Sequence, residues 1–81
     1  QVRGWAAAAD HYFEQDLREL DLPQCALLAS IVNSPGLFNP FNKPENAAKR
    51  RTKVLDRMAE LSMISGDQAA EAKRAPLPER P

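Results

Sequence analysis

Residues 22–32 read LPQCALLASIV and decide the fold class, because they form the most apolar stretch of the chain. Asp21 precedes the stretch, and Gln24 follows Asp21 by three residues, which is the pattern of an N-cap with a capping box. Pro23 is tolerated in a first helical turn. The sequence therefore predicts a helix over residues 22–32. Because it is apolar on nearly every side, we expect a core helix with several covering neighbours.

Three other segments have apolar residues at helical spacing. The first covers residues 4–13 and is rich in alanine. The second covers residues 44–61 and begins with proline, which is favoured at the first helical position. The third covers residues 66–74 and follows Ser65, which forms a second capping box with Gln68. No strand pattern is visible, so the sequence predicts an all-α fold of three to four helices.

The connections between these helices are polar or rich in proline. Residues 14–21 form a charged connector in which we expect the leucines to fold back onto the core. Residues 33–36 read NSPG and end the apolar helix. An irregular loop is predicted over residues 37–44, where Phe38 and Phe41 are expected to contact the core. The chain then divides into a domain part, residues 1–75, and a proline-rich linker, residues 76–81.

Composition limits the function classes. The chain has 81 residues, with 11 basic and 11 acidic side chains. A net charge of zero argues against a dedicated nucleic-acid binder, which normally carries a basic excess. Cys25 is the only cysteine and His11 the only histidine, so an internal disulfide and a structural zinc site are excluded. A core of this size supplies only a few kcal/mol, so we expect a piece of a larger protein.

Arg51 falls inside the apolar stripe of the helix predicted over residues 44–61. One interpretation is a structural salt bridge, or a side chain that reaches past a short alanine surface. The other is an anion anchor, because a planar guanidinium suits phosphate oxygens. The basic cluster over residues 49–53 has the same two interpretations, a solvated helix face or attraction to an anionic ligand or lipid headgroup.

The other reactive side chains have ordinary interpretations. His11 has no second histidine or paired cysteine nearby in sequence, so we expect no catalytic or metal role. Cys25 lies on the predicted core helix and is expected to be a buried, inert thiol. The longest apolar run is far shorter than the ~20 residues that a membrane span needs, so we expect the chain itself to be soluble.

The order of short motifs along the chain is more specific than any of them alone. These motifs run from Val2 to Ser65: Val2-Arg3-Gly4-Trp5, Ala8-Ala9, Tyr12-Phe13, Leu20-x-Leu22, Ala26-Leu27-Leu28-Ala29, Ser34-Pro35, Phe38-Asn39-Pro40, Pro44-x-x-Ala47, Arg50-Arg51-x-x-Val54-Leu55-x-Arg57-Met58 and Ile64-Ser65. This string resembles the C-terminal part of the peptidoglycan glycosyltransferase (transglycosylase) domain of class A penicillin-binding proteins and monofunctional transglycosylases. The resemblance covers Val2 to about Leu77.

The resemblance implies a fold and an activity. The family domain is α-helical, two-lobed and lysozyme-like, and it polymerises lipid II into glycan strands for the cell wall, releasing undecaprenyl pyrophosphate. Two glutamates carry the family's chemistry, one in a Glu-Asp-x-x-Phe-x-x-His motif and one in a later motif. Both motifs lie before the segment that matches here, so no catalytic residue is expected in this piece. The parent would be the enzyme, and the 81-residue chain alone would be inactive.

The resemblance also implies binding residues. The turn Asn33, Ser34, Gly36 matches the family turn beside the donor-strand pyrophosphate site, and Arg50 and Arg51 match paired arginines that are chiefly scaffolding and border the same cleft. Moenomycin-type inhibitors contact the family residue that Asn33 replaces. That residue is usually Lys or Gln, so the neutral Asn33 weakens electrostatic help there. A second departure is Glu14, where the family usually has Gly; a Glu there implies either a different turn or strain.

Partners and location follow from the same resemblance. The expected partners of the parent are lipid II, the growing glycan strand and moenomycin-type inhibitors, with no nucleic acid. No cofactor or metal is expected in this piece, although the family often uses a divalent metal ion. The parent is expected to be anchored in the cytoplasmic membrane and to face the periplasm or cell exterior. The alternative is a stand-alone helical interaction module derived from this domain.

Overall fold

The computed structural model describes residues 2–80. The helices are α1 (Val2–Phe13), a 3-10 turn (Leu17–Glu19), α2 (Leu22–Asn33), α3 (Pro35–Phe38), α4 (Pro44–Glu60) and α5 (Gly66–Lys73). No strand occurs among these residues, which confirms the all-α prediction. None of the helices described is long and apolar enough to cross a bilayer.

The four predicted helices are present, and the fifth, α3, corrects the predicted count of three to four. It forms one turn inside the segment expected to be irregular. Its amides at Leu37 and Phe38 donate to the carbonyl of Ser34, at 3.2 and 3.0 Å. Pro35 occupies the first helical position, where its fixed φ suits a helix start. The three prolines over residues 35–44 therefore do not exclude a short helix, and Pro35 and Pro44 each begin one.

Two predicted capping boxes are confirmed. The Asp21 carboxylate accepts a hydrogen bond from the Gln24 amide at 3.0 Å, and the Gln24 side chain accepts one from the Asp21 amide at 3.0 Å. Ser65 and Gln68 make the same reciprocal pair at the start of α5, at 3.0 and 2.8 Å. A third box, Asp16 with Glu19, starts the 3-10 turn and was not predicted. Each box supplies acceptors for amides that a helix start otherwise leaves unpaired.

The core lies on both sides of α2, which confirms its prediction as a core helix. On one side the buried residues are Ala26, Leu55, Ala69 and Ala72, from α2, α4 and α5. On the other side Leu27, Ile31 and Ala47 are buried, and Tyr12, Phe13 and Leu77 pack against them. Alanine predominates where α5 meets α2 and α4, so these helices approach one another closely.

Cys25 is exposed, so the prediction of a buried thiol is wrong. It lies in the first turn of α2, and its Sγ is 3.9 Å from the carbonyl of Leu20. Partial desolvation, and then the negative charge of Asp21, raise the pKa of this thiol. Apolar residues all around a helix do not indicate which side of its first turn remains open.

The segment after α5 lies against the body of the molecule. Leu77 packs on the core side formed by Leu27 and Ile31. The guanidinium of Arg80 lies 5.7 Å from the centre of the Phe41 ring and donates to the Asn42 side chain. The division into residues 1–75 and 76–81 stays a prediction; Gln1 and Pro81, the outer ends of the two parts, lie outside the described residues.

Glu14 takes a left-handed conformation, with φ at 54°. Of the two outcomes left open by the sequence, this positive φ corresponds to the one with strain. Its amide donates to the Asp10 carbonyl at 3.0 Å, which closes α1. A residue with a Cβ pays about 1–2 kcal/mol for this backbone region, a cost that glycine avoids.

Candidate substrate-binding site

The turn between α2 and α3 exposes polar groups. Asn33 ends α2 and is exposed, and Ser34 links α2 to α3 with φ −155° and ψ 82°. The Ser34 amide donates to the Ser30 carbonyl at 3.2 Å, but its hydroxyl makes no capping hydrogen bond. The hydroxyl is therefore available to an external acceptor.

Gly36 is exposed, and its lack of a side chain is not needed by the fold. A Cβ built there would meet no atom within 4 Å, and φ is not in the left-handed region. Neither backbone conformation nor packing within residues 2–80 therefore calls for glycine at this position. Close approach of another molecule to the backbone is a remaining physical reason for glycine.

An apolar groove of about 490 Å³ lies beside this turn, between α1 and α2. The groove is lined by Gly4, Trp5, Ala8, Tyr12, Ile31, Val32 and Pro35. Pro35 thus joins the groove to the polar turn. In the sequence, Trp5, Ala8 and Tyr12 indicate only the apolar face of a helix, because helical spacing does not distinguish a covered face from an open groove.

Arg50 contacts Phe38, the last residue of the short helix α3 that follows the turn. Its guanidinium carbon is 5.8 Å from the centre of the Phe38 ring. It also borders a second groove, together with Phe38, Asn46, Lys49 and Lys53. Its Nε is buried and has no hydrogen-bond acceptor among residues 2–80. Arg50 therefore places positive charge next to the segment that follows Gly36.

Arg51 has different surroundings from Arg50. It is only 4% exposed, and its Nη2 donates to the carbonyls of Lys73 at 3.2 Å and Ala75 at 2.8 Å. Burial lowers the pKa of its guanidinium. The sequence predicts either a salt bridge or a side chain that reaches solvent past the alanines. Among residues 2–80 Arg51 forms no salt bridge and does not extend to solvent, and it is held instead by hydrogen bonds to backbone carbonyls.

Asn33, Ser34 and Gly36 thus lie together at the turn between α2 and α3, whereas Arg50 contacts Phe38 at the end of α3 and Arg51 is directed elsewhere. Arg51 borders a small cavity of about 140 Å³ with Phe13, Leu27 and Ala75. Two consecutive residues on a helix differ by about 100° in direction, which separates the paired arginines. Their assignment to one binding site stays a prediction, for which Arg50 is the better placed of the two.

His11 and the carboxylates form no site for a metal. His11 is exposed and lies edge-on to Tyr12 and Phe41, with ring centres 4.7 and 6.0 Å apart. Across residues 2–80, no three His, Cys, Asp or Glu side chains are close enough to hold a metal ion. The acidic residues of the described chain likewise do not line the apolar groove beside the turn.

The comparison with known proteins decides the family. A family model described as Transglycosylase matches residues 1–59, which is most of the chain. The chain belongs to the transglycosylase family. The match includes the turn at residues 33–36 and both arginines, so the candidate site lies within the family segment.

Curated relatives of this transglycosylase segment are penicillin-binding proteins. It is 44% identical over 68 residues to penicillin-binding protein 1B of Haemophilus influenzae, which covers 84% of this chain and 9% of that protein. It is 45% identical over 74 residues to penicillin-binding protein 1A of Aquifex aeolicus, which covers 91% of this chain and 10% of that protein. The chain therefore spans about a tenth of the length of these relatives.

A solved structure has the same fold. The crystal structure of penicillin-binding protein 1A from Haemophilus influenzae superposes with a TM-score of 0.83 at 35% sequence identity. The superposition covers 89% of this chain and 11% of that chain. The five helices are therefore an all-α fragment of the transglycosylase domain.

Proposed function

We propose that the parent protein is a peptidoglycan glycosyltransferase that polymerises lipid II into glycan strands. Membership of the transglycosylase family is the observation that carries this proposal. The similarity to penicillin-binding proteins 1A and 1B supports a role in cell-wall synthesis. On this proposal the parent works at the outer face of the cytoplasmic membrane, facing the periplasm or cell exterior.

The 81-residue chain alone is proposed to be inactive. The motifs that carry the family's two glutamates do not occur in its sequence. General acid–base help contributes roughly 10²–10⁴-fold, and a substitute would have to stand at the groove where substrate binds. The lining of the groove beside the turn includes no carboxylate and no histidine among the described residues, and its polar side-chain groups are the Tyr12 hydroxyl and the Trp5 indole N–H.

The turn is proposed to bind pyrophosphate of the donor strand. The Ser34 hydroxyl is free of capping bonds, and Gly36 leaves its backbone open to close approach. Arg50 adds positive charge on the α4 side through its contact with Phe38. Hydroxyl, amide and guanidinium donors together suit phosphate oxygens. The apolar groove beyond Pro35 would then lie next to the pyrophosphate group.

Divalent metal use remains an expectation from the family for the parent. The described residues hold no cluster that fits such an ion, so no step is assigned to a metal within this chain. Asn33, Ser34 and Arg50 would act by binding and orienting the pyrophosphate, without accepting or donating a proton in the transfer itself.

The test is Ser34→Glu in the intact parent protein, which places a carboxylate where phosphate oxygens are proposed to bind. We expect moenomycin affinity and lipid II turnover to fall by roughly tenfold or more, about 1.4 kcal/mol. Ala70→Glu is the matched control, because Ala70 is exposed on α5 and the added charge is the same. Unchanged affinity and turnover in a folded Ser34→Glu protein would show that the turn is structural only.

The chemistry of the parent has a separate test. Purified parent protein should extend glycan strands from lipid II, whereas the 81-residue chain should not. Turnover by the isolated chain would overturn its proposed inactivity. Absence of turnover by the folded parent would favour the alternative, an interaction module derived from the domain.

A further inference from the structure

The charges of this chain are segregated although their sum is zero. Residues 10–21 contain five acidic residues and one arginine, and residues 43–57 contain six basic residues and two acidic ones. The two regions lie on different parts of the molecule, because the 3-10 turn packs against α1, whereas α4 packs against α2, α3 and α5. The folded chain therefore has an acidic end and a basic face.

The basic face is one side of α4. Lys49, Lys53 and Arg57 recur at every fourth residue, so they align on successive turns, and Arg50 lies beside them. We name these four residues the basic ridge. The ridge lies opposite the side of α4 that buries Ala47, Arg51 and Leu55.

Most of the positive charge of the ridge is uncompensated. Arg57 pairs with Glu60 at 3.4 Å, and both side chains are largely exposed. In the part of the chain that the structure describes, Lys49, Arg50 and Lys53 take part in no ion pair. Three adjacent cations on a rigid helix attract an extended anionic surface more strongly than scattered cations do.

Exposed apolar side chains lie at the C-terminal end of the ridge. Leu61 is 54% exposed and Met63 is 65% exposed. Leu61 also lines a shallow groove of about 300 Å³ with Arg50, Lys53, Val54, Met58 and Arg57. Cations beside exposed apolar groups match the two layers of a bilayer interface, where headgroups attract the cations and the acyl boundary accepts the apolar groups.

We propose that the basic ridge, with Leu61 and Met63, docks on an anionic lipid bilayer. The acidic end at residues 10–21 is repelled by the same surface, so the charge segregation also sets the orientation of the molecule. The docking surface lies on α4 and does not depend on glycosyl transfer. Nucleic acid fits less well, because Leu61 and Met63 at the end of the ridge are not aromatic side chains on which bases stack. Phe38, the aromatic residue beside the ridge, is only partly exposed and already lies against Arg50.

The test measures binding of the 81-residue chain to vesicles of equal parts phosphatidylglycerol and phosphatidylcholine, without lipid II. The variant Lys49→Gln/Lys53→Gln should weaken partitioning about 30-fold, since each cation near an anionic surface contributes roughly a factor of five. The control Arg18→Gln/Arg74→Gln removes the same charge from two exposed residues off the ridge and should change partitioning by less than about twofold. Circular dichroism checks that all variants remain folded.

A second variant tests the apolar part. Met63→Ser should weaken partitioning roughly tenfold, because the methionine side chain no longer enters the acyl boundary. Its 65% exposure means that little folded-state packing is lost. Raised salt should weaken binding of the native chain, and the double lysine variant should be less sensitive to salt.

Several results would overturn the proposal. Equal weakening by the two double variants would mean that only net charge matters. Equal binding to phosphatidylcholine alone would indicate nonspecific apolar adsorption. Displacement by inorganic phosphate at the same phosphate concentration would indicate a small-anion site. Equally tight binding to a DNA duplex would assign the surface to nucleic acid. If Lys49→Gln/Lys53→Gln weakened self-association but not vesicle binding, the surface would be assigned to a second copy of the chain. None of these measurements involves lipid II turnover, so their outcome does not depend on whether the proposed function is correct.

Discussion

Arg50 and Arg51 are adjacent in sequence and belong to two different regions of the molecule. The region around Arg51 is closed, because the buried guanidinium holds the carbonyls of Lys73 and Ala75 at the end of α5. The region around Arg50 is open, with a guanidinium over Phe38 and a turn whose hydroxyl and glycine are unconstrained by the fold. The Arg51 side chain therefore stabilises the fold, whereas the Arg50 side chain is available for binding.

The different surroundings of the two arginines predict which of them can move toward a ligand. A guanidinium that already donates to buried carbonyls cannot leave them without exposing unpaired acceptors, which costs about 1–3 kcal/mol each. A guanidinium held only by contact with an aromatic ring has a weaker tie, worth about 0.5–1 kcal/mol at an exposed site. Arg50 can therefore rearrange toward an anionic ligand, whereas Arg51 fixes α5 against α4.

The largest predicted effect separates these two arginines directly. Arg51→Gln should lower the free energy of unfolding by about 3 kcal/mol, because the carbonyls of Lys73 and Ala75 lose a buried donor. Arg50→Gln should lower it by less than about 1 kcal/mol. Urea denaturation followed by circular dichroism measures both. Equal losses in the two variants would remove the distinction between the regions.

The segment after α5 extends the closed region around Arg51, and Leu77→Ala tests how far this region reaches. Leu77 is half-buried and packs on the side of the core formed by Leu27 and Ile31. Its truncation should cost about 1–2 kcal/mol of unfolding free energy, less than a fully buried leucine. Leu37→Ala, at a site 54% exposed on the open side, is the control and should cost less than about 0.5 kcal/mol. If Leu77→Ala were equally mild, the closed region would end at Ala75.

Glu14 has a backbone conformation that would suit glycine, whereas Gly36 has one that does not require glycine. Glu14 has φ at 54°, so Glu14→Gly should raise the free energy of unfolding by about 1 kcal/mol through relief of the left-handed strain. Glu71→Gly, inside the short helix α5, should lower it by about 1 kcal/mol and serves as the control. Thermal unfolding of both variants measures the difference. A destabilised Glu14→Gly protein would show that the glutamate side chain outweighs the strain.

The smallest predicted effect on stability concerns Gly36, and it sharpens the assignment of the open region. Gly36→Ala and Gly66→Ala both place a methyl group in open space at helical positions. Each should raise the free energy of unfolding by about 0.5 kcal/mol, because alanine lowers the conformational entropy of the unfolded chain. In the parent protein only Gly36→Ala should weaken moenomycin binding, which isothermal titration calorimetry measures. Weakening by both, or by neither, would remove the argument for close backbone approach at Gly36.

Sequence reasoning succeeded where the determinants are local. The capping boxes at Asp21 and Ser65 involve residues three apart, and the apolar content of α2 predicts burial whichever neighbours cover it. The short helix α3 was missed because prolines indicate breaks without excluding one turn. The site residues at 33–36 came from the resemblance to the family, because nothing in their spacing alone indicates a ligand.

Long-range contacts account for what sequence could not supply. The acceptors of Arg51 lie 22 and 24 residues further along the chain, so its partners depend on how α5 docks. The exposure of Cys25 likewise depends on which side of the first turn of α2 the neighbours leave open. The contact between Arg50 and Phe38 likewise depends on α3, an element that the sequence did not reveal.

The hydrogen bonds from Arg51 to Lys73 and Ala75 also have a mechanical consequence. Tension applied at the C-terminal end would first load the contacts that Arg80 and Leu77 make with the body of the molecule. Once these release, it would load the bonds from Arg51 and the ion pair between Lys73 and Asp56, which tie the end of α5 to α4. Because Nη2 donates to both carbonyls, the two bonds depend on the position of one guanidinium. The resistance of the chain at this step would therefore depend on a side chain in the middle of the 17-residue helix α4.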